Sequence, residues 1–128
     1  GVKDSSYNLY ENLKIDNFSV LPGSENKLLK GLQLGCDGII TATCNITATL
    51  TRKVYDDFIQ NNDQSVNEKL CKVRTIFDGY NLISAIHSLM AQKDKSYSNI
   101  LPPLSILNNI DFQKLIEDLK KIDFNYNN

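Results

Sequence analysis

Apolar residues fall into two regimes along the chain. Up to about residue 62 short apolar runs alternate with stretches in which apolar positions recur every three or four residues, and beyond it only the second pattern persists. Gly1–Lys3 reads as a strand, and Leu9 and Leu13, four apart, predict a short helix over residues 7–14 with Ser5 or Ser6 as its cap. Phe18-Ser19-Val20-Leu21 is a second strand closed by Pro22-Gly23-Ser24, after which Leu28, Leu29 and Leu32 mark a helix that stops near Gly35. Gly38-Ile39-Ile40-Thr41-Ala42-Thr43-Cys44 is β-branched and almost uncharged, as expected of a strand buried on both faces of a parallel sheet. Leu50, Val54 and Phe58 then predict a helix from about Thr49 to Gln60, ended by Asn61-Asn62-Asp63.

Strand and helix thus alternate three times with short loops, which implies right-handed crossovers and an α/β fold with a parallel sheet. Residues 63–128 read as wholly helical. Val66, Leu70, Val73 and Phe77 line one helical face, Leu82, Ile83, Ile86, Leu89 and Met90 a second, and Phe112, Leu115, Ile116, Leu119 and Ile122 a third. Pro102-Pro103 predicts an extended break before the last helix, and residues 124–128 read as a frayed tail. Three parallel strands leave sheet edges and faces uncovered, so either a partner chain adds strands or these are the last three β-α units of a (β/α)8 barrel, residues 1–62, followed by a helical extension, residues 63–128.

Charge narrows the function classes. The 128 residues carry a net charge of −1, and the lysines and arginines are scattered, which argues against nucleic acid or an anionic membrane as partner. No run approaches the roughly 20 apolar residues of a membrane helix, so a soluble, cytoplasmic protein is expected. Cys36, Cys44 and Cys71 are odd in number and widely spaced, and read as reduced thiols rather than a disulfide or zinc framework. With no secretory leader, the sequon at Asn45-Ile46-Thr47 reads as a chance match. His87, the one histidine, lies among Ile83, Ile86 and Met90 and reads as a packing residue.

Several stretches, taken in order, resemble the dihydrodipicolinate synthase and N-acetylneuraminate lyase family. Gly1-Val2-Lys3-Asp4-Ser5-Ser6 is similar to that family's Schiff-base lysine strand. Leu21-Pro22-Gly23-Ser24-Glu25, with Leu28-Leu29 and Gly31-Leu32 behind it, resembles the next strand and helix, and Gly38–Asn45 the last barrel strand. Tyr80 and Leu101-Pro102-Pro103-Leu104 resemble the family's carboxy-terminal helical extension. The similarity is collinear to about residue 120 and implies the carboxy-terminal portion of a barrel, beginning at its sixth strand. Asn81, Ser84, His87 and Leu101 depart from the family pattern, but only in the extension.

The resemblance implies a pyruvate-dependent aldolase or synthase that needs no metal or cofactor, assembled as a homotetramer. Lys3 would be the catalytic amine that condenses with the keto carbon of pyruvate. Ser5 and Glu25 would face a small aldehyde or sugar-acid acceptor, Gly23 would let the backbone approach the ligand, and the Ile40 carbonyl would border pyruvate. A lysine of pKa about 10.4 is too rarely neutral at pH 7 to attack a ketone, and lowering that value to about 7–8 costs roughly 3–5 kcal/mol, which desolvation at a barrel mouth can supply. Burial of Lys3 is therefore expected.

The family's carboxylate-binding hydroxyl motif and its proton-relaying tyrosine find no match here, so activity is expected of the complete barrel. Ala42 and Asn26 stand where sugar-binding side chains of the sialic acid lyases are expected, which leaves dihydrodipicolinate synthase and a 2-keto-3-deoxy sugar-acid aldolase both open. The alternative from another class is an inactive barrel fragment or phosphate-binding module, with Gly23-Ser24 and residues 43–45 lining an anion site.

Overall fold

In the computed structural model, which describes residues 1–126, the chain divides into two compact units, Gly1–Cys71 and the residues from Lys72 onward. The division falls inside a helix, beyond the change of pattern near residue 62.

The first unit is built on two short parallel strands, β1 (Val2–Asp4) and β2 (Val20–Pro22), with Val2 opposite Val20, Lys3 opposite Leu21 and Asp4 opposite Pro22. Successive side chains on a strand point to opposite faces, so Asp4 turns inward, 1% exposed, while Lys3 turns to solvent. The expected helix at residues 7–14 does not form; a loop with a single turn near Leu9–Leu13 replaces it. Its cause is the buried Asp4 carboxylate. Oδ1 accepts from the Tyr7 amide (2.9 Å) and the Ser6 hydroxyl (2.9 Å), and Oδ2 from the amides of Leu9 and Tyr10 (both 3.0 Å). These bonds gather the loop around one acceptor in place of a helical ladder, and Tyr7 adopts a positive φ of 59° that a helix excludes.

After β2 the Ser24 side chain caps a 3-10 turn, Glu25–Lys27, which runs into α1 (Leu28–Gln33). Gly35, at φ 87°, ends the helix in the left-handed conformation that glycine adopts without penalty. The strand expected at residues 38–44 is not formed. Residues 36–41 run beside β2 with the Ile40 amide on the Pro22 carbonyl (3.1 Å), but Gly38 at φ 148° breaks the extended run and α2 (Cys44–Ile59) already begins at Cys44. The sheet has two strands.

The unit buries two apolar clusters. Leu28, Leu32, Val54 and Leu70 form one between α1, α2 and the start of α3 (Asn67–Asp78), with Leu50, Phe58 and Val66 against it. Tyr10, Val20 and Cys36 form the other, covered by Val2, Leu9 and Leu13. Leu9 and Leu13 therefore reach the core as expected, on a loop rather than a helix. Each fully buried leucine contributes roughly 1.5–3 kcal/mol of transfer free energy.

The second unit contains the end of α3, then α4 (Leu82–Met90), a 3-10 turn (Lys95–Ser98) and α5 (Asn109–Lys121). Asn81 caps α4 on the Ser84 amide (3.1 Å) and Asn108 caps α5 on the Asp111 amide (2.9 Å). α4 packs on α5, and Val73, Phe77, Ile86, Leu89, Leu115 and Leu119 are buried, as the apolar spacing predicts, whereas Ile83, expected on the apolar face of α4, is 46% exposed and Ala85 is buried in its stead. His87 binds the Tyr97 carbonyl through Nδ1 (2.8 Å), a structural role. Residues 99–108 interrupt the helices before α5, as Pro102-Pro103 predicts, and within that break residues 101–104 turn, closed by the Leu104 amide on the Leu101 carbonyl (3.1 Å). Of the tail expected to fray, the Phe124 amide bonds to the Leu119 carbonyl (3.0 Å) and Lys93 holds the Tyr126 carbonyl (3.0 Å); residues 127–128 lie outside the described residues. Among the described residues no helix is long and apolar enough to cross a membrane.

The Asp4 interactions predict a pH dependence. Burial opposes its ionised form, but hydrogen bonds from the Tyr10 amide, the Ser6 hydroxyl and the Leu9 and Tyr7 amides outweigh it and hold the carboxyl below its ordinary value. Asp4 therefore contributes stability that is complete above about pH 4 and is lost as pH falls through the lower folded value. Asp4→Asn, which turns an amide N–H2 toward backbone N–H groups, should cost about 2–4 kcal/mol near neutral pH in urea unfolding. The gap from wild type should narrow at about pH 3; an equal gap at both pH values would contradict this account.

Candidate functional site

Parallel pairing brings the carboxy-terminal ends of β1 and β2 side by side. The Gly23 amide donates to the Asp4 carbonyl (2.9 Å), which carries the ladder past both strands, and Ile40 sits on the other side of β2 through its bond to Pro22. Four of the five residues singled out from the sequence meet at this edge.

Lys3 lies within β1, and its Nζ donates to the Ser5 hydroxyl at 2.9 Å. Ser5, read as a helix cap or a substrate contact, therefore caps nothing and reaches the amine instead. Gly23 lies beneath it: a Cβ there would come within 3.3 Å of Ser5 Oγ and 3.5 Å of the Asp4 carbonyl oxygen, so close approach of backbone and hydroxyl favours glycine. Ile40 is 49% exposed, its amide on the sheet and its side chain largely in solvent.

The expected burial of Lys3 is not found, because this side chain is exposed. A two-stranded sheet has no opposing wall to cover the outward face of β1, so the chain places the amine at a strand end without desolvating it.

Glu25 departs further from the expectation. Instead of facing an acceptor it is 0% exposed, with Oε2 accepting from the Thr41 hydroxyl (3.0 Å) and Oε1 from the Thr47 hydroxyl (3.1 Å). Thr41 and Thr43 hydroxyls lie 2.9 Å apart, and Thr47 Oγ1 is 2.9 Å from the Thr43 carbonyl oxygen. Asp4, Thr41 and Thr47 are organising residues that the apolar pattern and the motifs did not single out, and Thr43, read in the alternative as lining an anion site, joins them. Their signal was present: Thr43, Thr47 and Thr51 recur at fourfold spacing, which aligns hydroxyls on one helical face.

The other nucleophiles are quiet. Burial, followed by the charge of Glu25, pushes the Cys44 and Cys71 thiols above their ordinary value, and burial likewise raises Cys36. All three are free thiols whose raised values favour the protonated form, which is the less reactive one. Among the described residues no group of three or more His, Cys, Asp or Glu side chains could hold a metal ion.

Known proteins resemble this chain in sequence and fold. Residues 1–122 match the sequence model of the Dihydrodipicolinate synthetase family. A 4-hydroxy-tetrahydrodipicolinate synthase from Archaeoglobus fulgidus is 29% identical over 83 residues, covering 61% of this chain and 29% of that protein. Among solved structures, dihydrodipicolinate synthase from Aquifex aeolicus superposes with a TM-score of 0.75 at 20% identity, covering 93% of this chain and 43% of that one. YagE, a prophage protein of E. coli solved in complex with pyruvate, gives a TM-score of 0.70 at 21% identity, covering 82% of this chain and 37% of its own. The chain thus spans less than half the length of each of these relatives, in keeping with part of a barrel.

The contacts at Gly23 can be tested by substitution. Gly23→Ala should cost less than about 1 kcal/mol in urea unfolding, since the Ser5 hydroxyl can rotate away, while Gly23→Val should cost about 1–3 kcal/mol because the Asp4 carbonyl cannot yield. Equal costs for the two would show that Gly23 does not form the floor described.

Proposed function

Since the chain belongs to the dihydrodipicolinate synthetase family, we propose that the protein carrying it is a pyruvate-dependent, Schiff-base-forming aldolase or synthase with Lys3 as the catalytic amine. The observation that carries this reading is the position of Lys3: on a strand, beside the Ser5 hydroxyl and the bare Gly23 backbone, at the strand ends where barrel enzymes assemble their sites. YagE, whose likeness to this chain is one of fold, was solved with pyruvate, which agrees with that substrate class.

The chemistry starts from a neutral amine. Lys3 Nζ adds to the keto carbon of pyruvate, the carbonyl oxygen leaves as water, and the protonated imine draws electrons from the adjacent methyl carbon. Loss of a proton from that carbon gives an enamine, which forms a carbon–carbon bond to an aldehyde; hydrolysis then frees the amine. Cleavage is the same sequence reversed. Ser5, within 2.9 Å of Nζ, accepts a hydrogen bond from the amine and can donate its own to an attacked oxygen. Gly23 and the Ile40 backbone border the space next to it.

Desolvation must come from the rest of the assembled protein. With water removed, the same lysine at the same strand end loses the solvation that stabilises an ammonium, which favours the neutral amine.

Incubation of the native protein with pyruvate and borohydride should leave a reduced adduct on the peptide containing Lys3. Lys3→Arg should abolish that adduct and lower turnover on the order of a thousandfold or more. Assays with aspartate semialdehyde and with 2-keto-3-deoxygluconate then identify the acceptor. No adduct on Lys3 in active, folded protein would overturn the proposal.

A further inference from the structure

Residues 36–43 join α1 to α2 without belonging to a helix or a full strand, yet they carry Ile40 to the edge of the site. The Ile40 amide ties this segment to β2 through the Pro22 carbonyl (3.1 Å). Its next residue, Thr41, turns its hydroxyl inward onto Glu25 Oε2 (3.0 Å).

Glu25 is unusual in being a carboxylate with 0% exposure, and such a group is retained only where its oxygens are hydrogen-bonded. Its two oxygens reach different pieces of the fold. Oε2 takes the Thr41 hydroxyl of the connecting segment, and Oε1 takes the Thr47 hydroxyl in the first turn of α2 (3.1 Å). Glu25 itself stands just beyond the end of β2, in the 3-10 turn capped by Ser24. One carboxylate therefore braces the strand end, the segment and the helix start.

The single Thr47 hydroxyl proton is shared between Glu25 Oε1 (3.1 Å) and the Thr43 carbonyl oxygen (2.9 Å), whereas the Thr41 proton can go wholly to Glu25. Each threonine hydroxyl has one proton to donate and can accept as well. With Thr43 donating to Thr41 (2.9 Å), Thr41 keeps its own proton for Glu25, so the chain of hydroxyls terminates on a group that only accepts.

We propose that Glu25 is a positioning residue for the site: acting through the Thr41 hydroxyl, it holds the backbone at Ile40 at the height of the β2 end, beside the space that Lys3 serves. The structural half of this stands on the geometry alone; the catalytic half rests on the aldolase reading. Glu25 is closed off from solvent at 0% exposure, so its effect on the reaction passes through Thr41.

Two readouts in the native protein test the two halves separately. Thr41→Val removes the hydroxyl at similar volume, and should raise hydrogen exchange at the Ile40 amide about tenfold while leaving the Val54 amide in the α2 core unchanged. The same variant should raise the KM for pyruvate about tenfold with kcat within about twofold, and Glu25→Gln should shift both readouts in the same direction. Thr41→Ser, which keeps the hydroxyl, should return Ile40 exchange and KM to near wild type. Unchanged Ile40 exchange in Thr41→Val, or equal acceleration at Val54, would overturn the proposal. A wild-type protein that traps no pyruvate on Lys3 would instead refute the aldolase reading, and Ile40 exchange would still decide whether Glu25 holds the segment.

Discussion

The alternation of side chains along three residues of β1 governs most of the structure of the first unit. Val2 joins the apolar cluster, Lys3 points out, and Asp4 points in, where its carboxylate collects the amides of Tyr7, Leu9 and Tyr10. That collection closes a loop, delivers Tyr10 to the core and leaves Ser5 at the tip of the strand beside Lys3. A shift of one residue in register would bury the amine and expose the carboxylate, so Asp4 fixes the face that Lys3 occupies as well as stabilising the loop.

Much of this was legible in the chain. The two strands, the helices at 28–33, 67–78, 82–90 and 109–121 and the buried faces of the helical second unit accord with the apolar spacing, because each of those segments buries one face against its own neighbours. The loop at 5–19 was not legible, because Leu9 and Leu13 satisfy helical spacing while a single acidic side chain supplies acceptors that compete with the helix. Gly38–Cys44 misled for a related reason. Its composition is that of a central parallel strand, but a strand becomes regular only where a neighbour pairs with it, and here the pairing consists of the Ile40 amide on β2.

The candidate site divides in the same way. The family resemblance singled out Lys3, Ser5, Gly23 and Ile40, and their place near strand ends and the turns after them follows from local features of the chain. The role of Glu25 was not local. Its carboxylate is buried by threonines 16 and 22 positions away, and a sequence read for turns and caps sees only its place at the start of a helix.

The arrangement of carboxylates bears on the proposed chemistry. An amine that must lose its proton near neutral pH is hindered by a neighbouring negative charge, which stabilises the ammonium, and is helped by removal of water. Among the acids nearest the strand ends, Asp4 is turned to the opposite face of β1 and commits its oxygens to backbone amides, while Glu25 commits its own to threonine hydroxyls. The partner that Lys3 reaches is the uncharged Ser5 hydroxyl. Both acids thus serve the architecture of the first unit, and the bonded neighbour of Lys3 carries no charge that would oppose the desolvation proposed for the assembled protein.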